Sequence, residues 1–409
     1  MSRLLVQRAL ATHAGLDPKQ VAQRMMGYTE ARATPDAARF LALLAPLDSP
    51  AQPSGQPYPF FLAHALPAGP EALGPRSDWL VEWKYDGIRA QVVKRGGQVW
   101  IWSRGEELVT DRFPEIVARA QTLPDGCVLD GEVLVWHAGQ ARPAPFNLLQ
   151  QRITRKTVGK KLLAEAPVVF VAYDLLEQAS QDLRGWPQQQ RRAALEQLLA
   201  DGRLRLSPLL HGATWAHFAA LRAQSRERGV EGLMLKQASA RYGSGRTKAE
   251  GTWWKWKTDP LAVDAVLVYA QAGHGRRSGV YTDYTFAVWS RPPADAAEAQ
   301  AVLDHIAAGR PAELGALQLL PFAKAYSGLS DEEFKAVDRV IRATLLAKFG
   351  PVRSVRPTLV FEIGFEGIGA SPRHKSGVAV RFPRMLRLRP DKPLHEANTL
   401  QDLEALLRL

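Results

Sequence analysis

Charged residues lie inside apolar, strand-like stretches of this chain, and this pattern constrains its fold more strongly than any other feature. In the stretch VEWKYDGIRAQ, which begins at Val81, apolar and polar residues alternate as they do in a half-buried β-strand. Lys84 lies near the end of that strand, and the turn signal Asp86-Gly87 follows it. A single lysine in such a place is ordinarily a solvated surface residue, so its meaning depends on the rest of the chain.

Five further stretches share this pattern. They are SRGEE (103–107), LDGEVLVW (129–136), EGLMLK (231–236), WWKWK (253–257) and RFPRMLRLRPDK (381–392). A buried charge is costly unless it is paired, so charges of complementary sign in several strands indicate one shared pocket. The residues expected to line it are Lys84, Lys236, Lys255, Lys257, Arg89 and Arg104, against Glu132, Glu231 and Asp86. The alternative is an ion-pair network that only joins two sheets.

The chain divides into three segments. Residues 1–57 have helical periodicity and end in a linker rich in Pro, Ser, Gly and Gln. Residues 58–259 alternate β-rich runs with helices, which favours an α+β domain built on antiparallel sheets. Residues 260–409 contain several short strands and one helix, which fits a small β-barrel of the OB-fold type. Helices of the last two segments are expected at 112–122, 146–165, 187–200, 214–228 and 330–348.

Composition bears on the partner and the compartment. The chain has 53 Lys+Arg against 41 Asp+Glu, a net charge of +12 that favours a polyanionic partner such as nucleic acid. Half of this excess lies between Pro351 and Lys392. No apolar run reaches the roughly 18–20 residues that span a bilayer, and there is no signal-peptide pattern. The single cysteine, Cys127, excludes internal disulfides and multi-cysteine zinc sites, so we expect a cytoplasmic protein without membrane contact.

The expected pocket suits chemistry on a nucleotide. A lysine that is crowded by other cations and removed from water loses its proton more easily and can act as an amine nucleophile. Arginine and lysine side chains bind phosphates, and two glutamates can hold Mg²⁺. Attack by Lys84 on the α-phosphate of a nucleotide would then give a covalent lysyl-nucleotide.

These stretches also resemble the motifs of a known superfamily. KYDGIR, which begins at Lys84, resembles the lysine signature K-x-D-G-x-R of the covalent nucleotidyltransferases, which comprise ATP-dependent DNA ligases, RNA ligases and mRNA-capping enzymes. SRGEE, LDGEV, FVAYD, EGLMLK and WWKWK are similar to the other motifs in order and spacing, over about residues 60–395. RFPR followed by RPDK resembles the DNA ligases, in particular the bacterial ATP-dependent ones.

The resemblance implies an architecture. Residues 58–259 would be an adenylation (nucleotidyltransferase) domain of ATP-grasp-like antiparallel sheets with helices, and residues 260–409 an OB-fold β-barrel domain. Residues 1–57 resemble only the last helices of a longer DNA-binding domain that many relatives carry.

The resemblance also implies a role for each matching residue. Lys84 would be the nucleophile that accepts AMP, Glu82 would contact the adenine amino group, and Tyr173 would stack on adenine. Glu132 would contact the ribose or a metal ion, and Glu231 would bind metal. Contacts to ATP or AMP are further implied for Arg89, Arg104, Arg246, Lys255, Lys257, Arg389, Asp391 and Lys392. We expect DNA contacts from Arg104, Arg276, Arg277, Arg381 and Arg384.

The function that this resemblance implies is an ATP-dependent DNA ligase that requires Mg²⁺, or Mn²⁺ in its place, and that seals nicks in double-stranded DNA as a monomer. Two positions depart from the family pattern: Gly105 follows Arg104 where the family usually has Asn, and Tyr173 replaces the preferred Phe. An RNA ligase or a capping-type guanylyltransferase would share the lysine and remains an alternative. A non-catalytic OB module that binds nucleic acid is an alternative from another class.

Overall fold

The structure is a computed structural model that describes residues 3–25, 36–45, 55–155, 157–273, 279–310 and 315–408. The chain forms two compact units, Met1–Thr258 and Asp259–Leu409, which are described separately below. Within the described residues, no helix combines the length and the apolar character that crossing a bilayer demands.

The first unit contains eight helices and ten strands among its described residues. The helices are α1 (Arg3–Ala14), α2 (Pro18–Arg24), α3 (Ala37–Leu44), α4 (Pro114–Ala120), α5 (Phe146–Ile153), α6 (Lys160–Glu165), α7 (Gln188–Leu198) and α8 (Trp215–Ala223). The strands are β1 (His64–Ala65), β2 (Trp79–Tyr85), β3 (Ile88–Arg95), β4 (Gln98–Ser103), β5 (Cys127–Val135), β6 (Val168–Gln178), β7 (Gln181–Asp182), β8 (Arg205–Leu206), β9 (Val230–Gln237) and β10 (Trp253–Lys257).

Two sheets organise this unit. One has the strand order β1-β10-β9-β2, and the other has the order β4-β3-β5-β6-β7 with β8 beside β6. All pairings are antiparallel except the short β1–β10 and β6–β8 contacts, which confirms the expected mixed class with antiparallel sheets. Two apolar cores support these sheets. One lies beneath the larger sheet with α4, α5 and α7, and the other packs the smaller sheet and α8 with Leu134 and Val171 of the larger sheet.

A third apolar cluster connects elements of both sheets. Val93 of β3 and Val128 of β5 pack with Trp253 of β10, and Phe61 and Tyr242 complete the cluster. Trp253 and Phe61 are 1% and 0% exposed, with ring centroids 5.0 Å apart. The aromatic residues of WWKWK therefore include a core residue that fixes β10, and with it the lysines between the tryptophans.

The predicted helix at 146–165 is wrong in its extent. The structure has two helices there, α5 ending at Ile153 and α6 beginning at Lys160. Gly159 precedes the first residue of α6 with an extended backbone, which is incompatible with one continuous helix.

The second unit contains three helices and nine strands among its described residues. The helices are α9 (Ala296–Ala307), α10 (Asp331–Ala343) and α11 (Leu400–Leu406). The strands are β11 (Leu261–Ala272), β12 (Tyr281–Trp289), β13 (Leu319–Ala325), β14 (Leu345–Phe349), β15 (Val352–Val355), β16 (Val360–Phe365), β17 (Gly367–Ala370), β18 (Val378–Arg381) and β19 (Arg384–Leu388). The helix predicted at 330–348 ends at Ala343, because β14 begins at Leu345 and pairs with β15.

The expected small β-barrel of the OB-fold type is not closed in the described residues, whose sheets are open. The main sheet has the order β13-β12-β11-β15-β14, with β16 also paired to β11 and β19 paired to β16, while β17 and β18 form a separate hairpin. The reason lies in β11, a strand of 12 residues. Its first half pairs with β16 and its second half with β15 on the same side, so the sheet branches there.

Buried residues and hydrogen bonds to backbone oxygens hold the described parts of the N-terminal helices together. Ala11 and Val21 are fully buried, and the Arg24 guanidinium donates to the backbone oxygens of Leu43 and Ala45 at 3.1 and 2.5 Å. Residues 26–35 and 46–54, which include most of the predicted linker, lie outside the described residues.

Gly232 provides a test of the β9–β10 contact. Its φ is +129°, and a Cβ there would lie 2.3 Å from the Trp256 backbone oxygen, so no side chain fits. We expect Gly232→Ala to destabilise the protein by roughly 2–4 kcal/mol.

Gly202→Ala is the matched control, because Gly202 also has a positive φ of +75° but no atom within 4 Å of the added Cβ. Its expected cost is about 1 kcal/mol, from backbone strain alone. Equal losses of unfolding free energy in urea for the two variants would contradict the close approach of β9 and β10.

Candidate active site

Lys84 lies at an irregularity between β2 and β9. Trp83 pairs with Leu233 while Tyr85 pairs with Val230, so the register shifts at Lys84. The side chains of Trp83 and Tyr85 are buried on one face of β2, whereas that of Lys84 is 20% exposed. Successive side chains of a strand point to opposite faces, so Lys84 projects away from the face of Trp83 and Tyr85. The extra residue of the irregularity lies on β9, between Val230 and Leu233, where Glu231 is placed.

Glu231 of β9 is the partner of Lys84. The Lys84 Nζ contacts the Glu231 carboxylate, and the Lys257 Nζ lies 3.8 Å from the same Glu231 oxygen. The Glu231 side chain is 17% exposed. One carboxylate therefore faces two ammonium groups at the point where β2, β9 and β10 lie side by side.

Further cations surround this pair. Burial lowers the pKa of Lys255, and the charges of Lys257, Lys84, Arg246 and Arg104 lower it further. Lys255 and Lys257 are two residues apart on β10 and so project from the same face of the sheet. The structure thus brings together the cations that the sequence placed in one pocket, as an electropositive surface suited to several phosphates.

Arg89 of β3 is held by a carboxylate that sequence reasoning did not single out. Its Nε and Nη2 donate to Asp130 Oδ1 and Oδ2 at 3.1 and 2.6 Å, and its Nη1 donates to the Phe61 backbone oxygen at 2.6 Å. Asp130 is fully buried and also accepts from the Tyr242 hydroxyl at 2.6 Å. Asp130 directly precedes Gly131-Glu132 in LDGEV, so its place in a charged strand was the available signal.

Glu132 lies opposite Arg89 in the β3–β5 pairing. Burial raises the pKa of Glu132 to about 8, helped by the negative charges of Asp130 and Glu231, although Lys84 and Arg89 act in the other direction. Two carboxylates, Glu132 and Glu231, thus act electrostatically on each other and on Lys84. Each would be stabilised by a divalent cation between them.

The number of carboxylates in the site is compatible with a magnesium ion. The described residues contain no cluster of three or more His, Cys, Asp or Glu side chains that could enclose a metal ion. Mg²⁺ commonly uses only one or two protein carboxylates and completes its shell with water and substrate phosphates. Glu132 and Glu231 are carboxylates of that kind.

Glu82 and Tyr173 share one partner, Lys236 of β9. The Lys236 Nζ lies 3.1 and 3.2 Å from the two Glu82 oxygens and 4.4 Å from the Tyr173 ring centroid. Glu82 also accepts from the Ser207 hydroxyl at 3.0 Å, and Arg192 Nη1 lies 3.6 Å from it. Ser207 and Arg192 come from distant segments and were missed, because nothing in their local sequence marks them.

The predicted residues of the second unit form their own ion cluster. Arg389 donates to both oxygens of Asp264 at 2.9 and 3.1 Å and to Asp391 at 2.9 Å, and Lys392 Nζ lies 3.2 Å from Asp264. The hydrogen bond from Arg389 lowers the pKa of Asp391 to about 2. Asp264, in β11, was not predicted.

The remaining predicted DNA contacts lie at the end of β18, at the start of β19 or outside the described residues. Arg381 ends β18 with its guanidinium carbon 5.0 Å from the Phe382 ring centroid, and Arg384 begins β19. Arg276 and Arg277 fall in the segment 274–278, which lies outside the described residues.

The raised pKa of Glu132 predicts a pH-dependent stability. Its pKa rises from 4.5 to about 8 on folding, so the folded protein holds the proton more tightly than the unfolded chain does. The stabilisation from this proton is complete below the pKa that Glu132 has in the unfolded chain. It is lost as the pH rises through the pKa that Glu132 has in the folded protein. The Gln side chain of Glu132→Gln is neutral at every pH. We therefore expect the melting temperature of this variant, relative to that of the wild type, to be higher at about pH 9 than at about pH 5 in metal-free buffer.

Glu165→Gln serves as the control, because this glutamate is exposed and lies 3.8 Å from Lys161 in a surface pair. It should change the melting temperature little at either pH. A Glu132→Gln difference that is the same at both pH values would contradict the assigned burial.

Comparison with known proteins gives a consistent result. The family model described as ATP dependent DNA ligase domain matches residues 61–257, and the one described as ATP dependent DNA ligase C terminal region matches residues 305–392. The solved structure named Pmar-Lig_PreS3 is 19% identical, with a TM-score of 0.56 over 81% of this chain and 67% of that one. At this identity the likeness concerns the fold alone.

Two curated relatives, each named as a probable DNA ligase, match most of this chain. The protein from Koribacter versatilis is 35% identical over 376 residues, which cover 86% of this chain and 60% of the relative. The protein from Anaeromyxobacter sp. is 32% identical over 405 residues, which cover 98% of this chain and 71% of the relative. The chain thus spans less than two thirds of the length of some relatives. Taken with both family models, these matches show that the chain belongs to the ATP-dependent DNA ligase family.

Proposed function

We propose that this protein is an ATP-dependent DNA ligase that seals nicks in double-stranded DNA, with Lys84 as the residue that carries AMP. The observation that carries the proposal is the contact of the Lys84 amine with Glu231 in a site that also gathers Lys255, Lys257 and Arg104. Membership of the ligase family supports the choice of ATP and of DNA.

In the first step, the Lys84 amine attacks the α-phosphorus of ATP, so that a P–N bond forms and the bond to pyrophosphate breaks. The lysine loses its proton in this step, and Glu231 is in contact with that ammonium. Lys255 and Lys257 would hold the phosphates, where their charge favours the growing negative charge on the leaving pyrophosphate.

In the second step, an oxygen of the 5′-phosphate at the nick attacks the phosphorus of the lysyl-AMP and frees Lys84. In the third, the 3′-hydroxyl attacks that 5′-phosphate and releases AMP, which closes the strand. We propose that Arg89 and Arg104 contact AMP and the nick phosphate. Asp130 fixes the Arg89 guanidinium by two hydrogen bonds, so that it need not reorganise when a phosphate binds.

Glu132 and Glu231 are the proposed ligands of Mg²⁺. The bound ion would neutralise charge on the phosphates of ATP. The protein contributes by keeping both carboxylates beside Lys84. Desolvation and the nearby negative charges raise the pKa of Glu132, so that it holds a proton until a cation replaces that proton.

Tyr173 and Glu82 are proposed to contact adenine, by stacking and by accepting from the amino group. Arg381 and Arg384 are proposed to bind the DNA backbone, because phosphate contacts supply most of the affinity for DNA. We further propose that the protein works as a cytoplasmic monomer.

The alternative functions differ from a DNA ligase in the nucleotide they use, in the substrate they join or in having no catalytic activity. A capping-type guanylyltransferase would form a covalent adduct with GTP, and an RNA ligase would accept RNA ends. A non-catalytic binding module would retain DNA without any covalent adduct. The assignment of this chain to the DNA ligase family favours the ligase over all three.

Lys84→Ala tests the proposal directly. We expect covalent labelling of the protein by ATP that carries ³²P at its α-phosphate to fall about 10⁴-fold or more, because the bond-forming nitrogen is absent. Binding of nicked duplex should change little, because DNA affinity is distributed over many basic groups.

Lys161→Ala is the matched control, since Lys161 is 87% exposed on α6 and should leave labelling intact. Labelling of Lys84→Ala at a level close to the wild type would exclude Lys84 as the nucleophile.

A second test concerns Asp391 and Lys392. The family resemblance gives them a role in the first step, by orienting the pyrophosphate, although both take part in the ion cluster on Asp264 and Arg389. We expect Lys392→Ala and Asp391→Ala to slow self-adenylation by about 100-fold or more while sealing of a nick that is already adenylated is retained.

Lys348→Ala, at an exposed lysine of β14, is the control and should affect neither reaction. Equal loss of both reactions in Lys392→Ala and Asp391→Ala, or a lower melting temperature with unchanged adenylation, would mean that the cluster only stabilises the second unit.

A further inference from the structure

A buried polar cluster lies next to Tyr173 and consists of Glu82, Lys236, Ser207 and Arg192, which we call the Glu82 cluster. Glu82 and Lys236 are each 1% exposed, and Ser207 is fully buried. The four residues come from β2, β9, the segment after β8 and α7. A fully buried ion pair is costly, so its presence beside a proposed binding pocket calls for an explanation beyond stability.

Hydrogen-bond donors and cations surround the Glu82 carboxylate in this cluster. Lys236 Nζ donates to both Glu82 oxygens at 3.1 and 3.2 Å, and the Ser207 hydroxyl donates to one of them at 3.0 Å. The second cation, Arg192, has its Nη1 3.6 Å from Glu82. Three hydrogen bonds are donated to the two Glu82 oxygens, so this carboxylate serves as a hydrogen-bond acceptor in the cluster.

Arg192 cannot replace Lys236 in this role. Its Nε is paired with Glu196 at 2.7 Å, and its Nη1 is a buried nitrogen that has no hydrogen-bond partner in the part of the chain that the structure describes. The neighbouring Arg191 is likewise committed, to Asp174 at 2.9 and 3.0 Å. Lys236 is therefore the cation that orients the Glu82 carboxylate by hydrogen bonds to both of its oxygens, with the Ser207 hydroxyl as a further donor to one of them.

Lys236 also contacts the residue proposed to stack on the base. Its ammonium donates to the Tyr173 backbone oxygen at 3.1 Å and lies 4.4 Å from the Tyr173 ring centroid, within cation–π distance. One ammonium group thus sets the relative position of an acceptor, Glu82, and an aromatic platform, Tyr173.

We propose that Lys236 is a positioning residue that determines nucleobase specificity, by holding Glu82 as an acceptor beside the Tyr173 ring. This inference rests on the proposed function, in which Glu82 and Tyr173 meet the base of ATP. Adenine presents an amino donor at its position 6 and pairs with a carboxylate acceptor, whereas guanine presents a carbonyl oxygen there. Guanine would leave two acceptors facing each other in a desolvated place, which is strongly unfavourable.

The test compares ATP with GTP in two assays, nucleotide binding and covalent labelling of the protein. For wild type, Lys236→Met and Lys236→Arg, it determines the equilibrium binding of each nucleotide and the rate of covalent labelling by the same nucleotides carrying ³²P at the α-phosphate. We expect Lys236→Met to weaken ATP binding about tenfold or more. The ATP-over-GTP ratio, which is the affinity or labelling rate with ATP divided by that with GTP, should fall by a similar factor. Lys236→Arg keeps the charge and should restore part of both.

Lys94→Met is the matched control for the loss of a buried strand lysine. Lys94 lies on β3, its side chain is 6% exposed, and it pairs with Asp125 at 3.6 Å. A change in melting temperature without a change in the ATP-over-GTP ratio is expected for this variant.

Glu82→Gln keeps the inference testable if Lys236→Met does not fold. The glutamine amide can donate to a carbonyl oxygen, so this variant should shift the ratio towards GTP. An unchanged ratio in a folded Lys236→Met or in Glu82→Gln would overturn the inference about Lys236. Selective ATP binding by a wild type that takes no covalent label would instead overturn the ligase chemistry alone, and a wild type that binds neither nucleotide would overturn both.

Discussion

The ion pair between Lys84 and Glu231 joins β2 to β9 where their register shifts, and the arrangement of the other charges depends on it. Without Glu231, the amines of Lys84 and Lys257 would face each other with no carboxylate between them. The neighbouring Gly232 lets β10 approach closely enough to bring Lys257 into range, because no side chain fits at that position. The nucleophile that we propose is therefore placed by backbone geometry first and by charge second.

Two of the polar groups proposed to meet the substrate, Arg89 and Glu82, each have a buried partner. Asp130 holds Arg89 by two hydrogen bonds, and Lys236 holds Glu82. Such partners reduce the reorganisation that a charged side chain undergoes when a phosphate or a base binds, and a preoriented dipole is worth more in a desolvated site than in water.

Sequence reasoning identified Lys84 and most of the charged residues around it, because charges inside apolar strands stand out against the period of a β-strand. It missed Ser207, Arg192 and Asp264, which reach their partners from segments more than 100 residues away, at Glu82 for Arg192 and Ser207 and at Arg389 for Asp264. It also gave too long a helix at 146–165, and a small barrel where the described residues of the second unit form open sheets. The two errors have different causes. The helix is interrupted before α6 at Gly159, a local break that the periodic pattern hid, whereas the branching at β11 depends on long-range strand pairing.

We propose that this site joins DNA strands with ATP through Lys84. Ligation of a singly nicked duplex by the purified protein, with ATP, dATP, GTP or NAD as the only nucleotide and Mg²⁺ present, tests this proposal. We expect sealing with ATP, with one AMP released for each strand closed, and no sealing with GTP or NAD. Sealing with NAD or GTP in place of ATP, or binding of the nick without sealing under any of the four, would contradict it.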